Sequence, residues 1–168
     1  SWSARQNTYL PRSTLPVYQR QLFPELLLGE VGAQAESAGE TLFENDGLRL
    51  WRLPAIDRGI GIVSFKTKMH ALGSSVLAGM QAALAHAEAE LDGLVIWHDA
   101  PFAVGADLKE IIAAVDAGAH DTLATYVERF QQTTLAIKYA QVPVVAAVQG
   151  LALGGGCEFA MHAASRVM

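Results

Sequence analysis

Pro143-Val144-Val145-Ala146-Ala147-Val148-Gln149-Gly150-Leu151-Ala152-Leu153-Gly154-Gly155-Gly156-Cys157-Glu158-Phe159 passes from an unbroken apolar run, through a glycine-rich turn, into a helical pattern. Such a run is the mark of a strand covered on both faces, and Pro143 stands at its first residue, where strands tolerate a missing N–H. Gly93-Leu94-Val95-Ile96-Trp97 repeats the run, and Phe102-Ala103-Val104-Gly105-Ala106-Asp107-Leu108-Lys109-Glu110 repeats the turn. Two buried strands, each followed by small residues at a helix start, predict an α/β fold with some parallel sheet.

Working outward, Leu108, Ile111, Ile112 and Val115 form an i, i+3, i+4, i+7 stripe after Asp107, and Leu123, Val127, Phe130 and Ile137 lie near one face after Asp121. Two helices therefore bridge the buried strands, with both apolar stripes expected in the core. Upstream, Val76, Leu77, Met80, Leu84, Ala87 and Leu91 recur at helical spacing, with Ser74 or Ser75 placed to cap the start. Leu48–Leu53 and Gly59–Phe65 read as two strands joined around Pro54–Arg58, so a hairpin opens the domain.

Residues 1–46 have another character. Arg5, Arg12 and Arg20 stand with Pro11, Pro16 and Pro24 in an arm that contains no acid through residue 24, and Gly29–Asp46 is a run of small and acidic residues that reads as a linker. The expected organisation is an arm and linker over 1–46 and a compact domain over 47–168. The first residue is Ser1, and the last run, Ala164–Met168, is strand-like with no turn or cap, so both ends read as cuts.

The chain has 168 residues, 51% of them hydrophobic and 17% charged, which is globular rather than disordered composition. Twelve Lys+Arg against 17 Asp+Glu leave a net charge of -5, which argues against nucleic acid as the main partner. No apolar run approaches the roughly 20 residues that span a bilayer, so no membrane partner is expected. With Cys157 as the single cysteine, no internal disulfide or multi-thiolate metal site is possible, and a cytoplasmic location fits.

The two turns carry the candidate chemistry. The first N–H groups of a helix have no internal partner and are ready donors to an anion or a polarised carbonyl. Ala106 N–H and Gly155 N–H are the candidates for an oxyanion hole, although Gly154–Gly156 would equally serve a tight strand-to-helix turn or close packing. Glu158, about one turn into its helix, could be a general base or a carboxylate stabilised by the helix dipole. Cys157 reads as a packed helix residue and His98 as a surface residue at a strand end. No Gly-x-x-x-x-Gly-Lys or Gly-x-Gly-x-x-Gly run is present, so no nucleotide fold is signalled.

Phe102–Lys109 followed by Pro143–Met161 resembles the crotonase superfamily, and the enoyl-CoA hydratases within it, in both the Phe-x-x-Gly-Ala-Asp-x-Lys and the Gly-Gly-Gly-x-Glu motifs. The resemblance implies the N-terminal portion of a spiral of β-β-α repeats, an acyl-CoA thioester substrate, and neither metal nor cofactor, coenzyme A being part of the substrate. It implies Ala106 and Gly155 as oxyanion donors and Glu158 as one of two glutamates that add water across a 2,3-double bond in fatty acid β-oxidation. The second glutamate is expected beyond Met168. Met69-His70-Ala71-Leu72 resembles the loop around the CoA adenine, with Ala71 as a backbone contact and Lys109 near the CoA phosphates. Tyr9–Glu30 is similar to a segment of long bacterial proteins that join a 3-hydroxyacyl-CoA dehydrogenase to a hydratase. NAD would belong to such a parent, and a homotrimer is the assembly the resemblance suggests. The alternatives are an enoyl-CoA isomerase and a catalytically silent acyl-CoA-binding fragment.

Overall fold

A computed structural model of the chain describes residues 39–168, together with the backbone of a short antiparallel pair, β1 (Trp2–Ser3) and β2 (Thr8–Tyr9). Residues 1–38 and 39–168 form separate compact units. Most of the Tyr9–Glu30 segment lies outside the described residues.

The second unit holds a six-stranded sheet in the order β3-β4-β5-β6-β7-β8, formed by β3 (Glu40–Glu44), β4 (Leu48–Leu53), β5 (Asp57–Phe65), β6 (Gly93–Ile96), β7 (Val144–Ala147) and β8 (Ser165–Val167). The first three strands pair antiparallel and the rest parallel. Four helices complete it: α1 (Ser74–Glu90), α2 (Leu108–Asp116), α3 (His120–Tyr139) and α4 (Gly155–His162).

Alternation explains the sheet's buried face. Leu48, Leu50, Val63, Phe65, Leu94, Ile96, Val144 and Ala146 are buried and join one cluster with Val76, Leu77, Met80, Ala83, Leu84 and Ala87 of α1. Each large aliphatic side chain so covered contributes about 1.5–3 kcal/mol. The opposite face is less closed than the unbroken apolar runs imply, since Val95 and Val145 are only half-buried.

Three local readings change. Glu40–Glu44, which composition places in a linker, is the edge strand β3, with Arg52 gripping Glu40 through two 3.0 Å bonds. Charged residues are a common way of blunting such an edge. Helix α1 has no serine cap: Gly73 is its N-cap residue, and the Glu110 carboxylate accepts Ser74 N–H at 3.0 Å and Ser74 Oγ–H at 2.7 Å. Helix α2 buries no residue, and Leu108, Ile112 and Val115, expected in the core, are 66%, 57% and 53% exposed.

Candidate active site

The two small-residue turns lie side by side because an isolated parallel bridge, Ala103 to Ala152, ties them together, while a second bridge pairs Ala106 with Leu72. Ala103 N–H donates to Leu151 O at 3.1 Å and Leu153 N–H to Ala103 O at 2.9 Å, which aligns the 102–107 turn with the 150–156 turn. Leu72 then brackets Ala106: it donates its own N–H to Gly105 O at 2.8 Å and accepts Asp107 N–H at 3.4 Å. In a parallel bridge of this kind the bracketed residue turns its N–H the other way. Among the described residues, neither Ala106 N–H nor Gly155 N–H donates to a protein group.

Glycine is required where these backbones meet. Gly105 has φ +97, and a Cβ there would stand 3.0 Å from Leu153 O and 3.4 Å from Gly155 N, so a residue without a side chain suits this close approach of the 150–156 backbone. At Gly156 a Cβ would lie 2.7 Å from both the Cβ and the carbonyl oxygen of Ala103. The close-packing role considered for the glycine run thus falls to Gly156 and also to Gly155, where a Cβ would lie 2.6 Å from Phe130 Cζ, and the Gly155 N–H has no partner among the described residues.

Asp107 caps α2, accepting Lys109 N–H at 2.9 Å, and this fixes the helix start just past Ala106. Glu158 lies three residues beyond Gly155 in α4, which places the two on one helix face. Its side chain is exposed and without a hydrogen-bond partner among the described residues. The arrangement is two amides without partners and, three residues along α4 from the second of them, an exposed carboxylate, groups of the kinds that hold a developing oxyanion and move a proton.

The other candidates are placed as follows. Ala71 is half-buried, with its carbonyl accepting Thr67 Oγ–H at 2.7 Å and Gly73 N–H at 3.2 Å, and its N–H donating to Lys68 O at 3.2 Å. The Lys109 side chain is exposed, with no partner among the described residues. Cys157, read as packed, is exposed.

His98 is the main correction, for it is 5% exposed rather than on the surface. Its Nδ1 accepts Phe65 N–H at 3.4 Å, so Nε2 carries the proton donated to Phe102 O at 2.6 Å. Its ring lies 4.0 Å from that of His70, which bonds Pro101 O at 2.6 Å, so each ring holds one carbonyl of the chain entering the 102–107 turn. With both nitrogens engaged, His98 is a structural group rather than a base.

Burial pushes the His98 imidazole down from 6.5 to about 4, the bond to Phe102 O opposing and His70 assisting. The unfolded chain therefore takes up a proton near pH 6.5 that the folded chain refuses until about pH 4, so stability is full above this window and falls as pH drops through it. The full loss is on the order of 3 kcal/mol. Urea unfolding midpoints should fall more steeply over this range in the parent than in a His98→Gln variant; parallel curves would refute the assignment.

A cavity of about 350 Å³ lies between the start of α1, α2 and α3, lined by Ser74, Glu110, Ile111, Leu123, Tyr126 and Arg129 among others. Ala106, Gly155 and Glu158 do not line it. Tyr126 holds Leu72, which bonds the 102–107 turn, and Glu110 holds Ser74, yet none of these carries a local sequence signal, because their partners lie far along the chain.

The family model described as enoyl-CoA hydratase/isomerase matches residues 55–168, which include both turns and Glu158. The chain belongs to the enoyl-CoA hydratase/isomerase family. A Rickettsia felis protein provisionally named a fatty acid oxidation complex trifunctional enzyme is 32% identical over 124 residues, covering 73% of this chain and 17% of that protein. A protein of Bacillus subtilis named a probable 3-hydroxyacyl-CoA dehydrogenase is 36% identical over 112 residues, covering 65% of this chain and 14% of its own length. Among solved structures, one from Streptomyces coelicolor, provisionally called an enoyl-CoA hydratase, matches with a TM-score of 0.65 and 27% identity over 77% of this chain and 47% of its own. The fold is that of the crotonases, as the motifs imply. The chain thus spans under a fifth of these long relatives and about half of the solved neighbour.

Among the described residues no helix is long and apolar enough to cross a membrane.

Proposed function

We propose that this chain supplies the oxyanion hole and one catalytic carboxylate of an enoyl-CoA hydratase acting in fatty acid β-oxidation. The observation that carries the reading is the pair of undonated amides, Ala106 N–H and Gly155 N–H, brought together at Gly105 with Glu158 one helical turn beyond. Two preorganised donors aimed at a thioester oxygen stabilise the enolate formed when water adds to the β-carbon, and they cost no reorganisation at that moment. Glu158 holds the water and takes part in the proton transfer; a second glutamate, outside these residues, completes the pair. The substrate is a 2-enoyl-CoA, with the Met69–Leu72 segment and Lys109 toward its CoA portion. NAD enters only through a dehydrogenase part, of the kind named in the Bacillus subtilis relative.

Hydration of crotonyl-CoA, followed by loss of enoyl-thioester absorbance, tests this in the 168-residue chain and in a longer protein that extends it through a second glutamate. Turnover in the longer protein is the expected result. Retained acyl-CoA binding without hydration in either would overturn the hydratase reading in favour of an isomerase or a binding module.

A further inference from the structure

The direction of the Ala106 amide is fixed by groups outside the turn that carries it. Leu72 brackets it, and the carbonyl of Leu72 has a second donor besides Asp107 N–H: the phenol of Tyr126, from α3, at 2.6 Å and 54 residues along the chain. That bond is much shorter than the 3.4 Å bond from Asp107, so the phenol is the firmer hold on the segment.

The same helix reaches the other donor. Phe130, one turn beyond Tyr126 and 6.5 Å from it ring to ring, fills the space beside Gly155, where a Cβ would come within 2.6 Å of Phe130 Cζ. Phe130 is held in turn against the buried Phe159 of α4 at 5.6 Å. Residues i and i+4 of a helix share a face. One face of α3 thus supports Ala106 through Leu72 and abuts Gly155 through Phe130.

We propose that Tyr126 is a positioning residue that, with Phe130, sets the spacing of the two oxyanion donors. The inference rests on the reading of Ala106 N–H and Gly155 N–H as those donors. Two further features support the brace. Glu110 clamps Ser74 two residues beyond Leu72, with its carboxylate 3.0 Å from Ser74 N. Burial first, and then the charge of Glu110, pushes the Tyr126 phenol up to about 12, so it remains a donor wherever the enzyme would work.

The test is Tyr126→Phe in the full-length protein, which deletes one O–H and keeps the ring that meets Phe130. Its sharpest readout is the thioester carbonyl stretch of bound butyryl-CoA, a saturated ligand that cannot react, by isotope-edited infrared spectroscopy. In the parent the stretch should lie below its solution value, and in Tyr126→Phe it should move back toward that value. Butyryl-CoA affinity should stay within about twofold, and kcat for crotonyl-CoA should fall about ten- to a hundredfold with little change in KM. Phe130→Leu, which loosens the Gly155 side instead, should move the stretch in the same direction.

An unchanged stretch and kcat in Tyr126→Phe would overturn the positioning role while leaving the donors standing. A parent that binds butyryl-CoA with no lowering of the stretch would instead remove the donor reading, and the positioning role with it. A merely structural tyrosine would shift the urea midpoint and leave the stretch where it was.

Discussion

Glu158→Gln is expected to lower hydration of crotonyl-CoA by about 10²- to 10⁴-fold, the usual range for loss of a positioned acid/base group. The substitution is close to isosteric, and the carboxylate it replaces is exposed and without a hydrogen-bond partner among the described residues. Its folding cost is therefore small: only the favourable charge–dipole interaction in the first turn of α4 is lost, about 0.3–1 kcal/mol. Binding of a saturated acyl-CoA should persist within about twofold, because the oxyanion donors belong to the backbone and are untouched. Turnover by stopped assay, with ligand binding by calorimetry on the same preparation, separates the two effects. Full turnover in Glu158→Gln would remove Glu158 from the chemistry and return it to the bland role of a dipole-stabilised helix residue.

Much of this site is legible in the sequence because it is local. A helix that starts directly after a small-residue turn presents unpaired N–H groups wherever it is packed, so Gly155, the first residue of α4, stands out before any contact is known, whereas Ala106 precedes the Asp107 cap of α2 and its N–H is left unpaired by the bridge to Leu72. The same locality makes the hairpin strand Leu48–Leu53 and the boundaries of α1 and β7 readable from apolar spacing alone. What spacing does not tell is which face is covered and by what. Leu108, Ile112 and Val115 do mark a helix, yet in the described unit each stays more than half exposed. β3 is hidden by the opposite effect, since an edge strand with Glu40 and Glu44 outward has the composition of a linker.

The parts that sequence misses all depend on long-range partners. A serine at a helix start is a good cap in isolation, but Glu110, 36 residues away, supplies the acceptor for Ser74. His98 reads as a surface residue at a strand end until Phe65 N–H and Phe102 O are seen to use both ring nitrogens. Tyr126 belongs to the same class: within its own helix it is one more half-buried aromatic, and its bond to Leu72 is what links it to Ala106. Local pattern points to the unpaired amides, then, while the groups packed around them come from the tertiary fold.

Gly155→Pro and Gly155→Ala together isolate the second donor, and the expected result is a gap of about 10²- to 10³-fold in kcat between them, the alanine variant being the faster. Both substitutions place a Cβ against Phe130, 2.6 Å from Cζ as the ring now stands, so both carry that packing penalty, and proline adds its Cγ and Cδ. Only proline removes the N–H. Gly155 is the first residue of α4, the helical position at which proline is best tolerated. The residue before it is Gly154, at φ 47 and ψ −119, so no β-carbon adds to the crowding from the proline ring. Comparable unfolding midpoints for the two variants would confirm that packing is matched. A Cys157→Ser change, at an exposed position two residues on, should leave kcat within about twofold. Should proline and alanine slow the reaction equally, the loss would belong to the displaced Phe130 ring, and Gly155 N–H would have no part in holding the oxyanion.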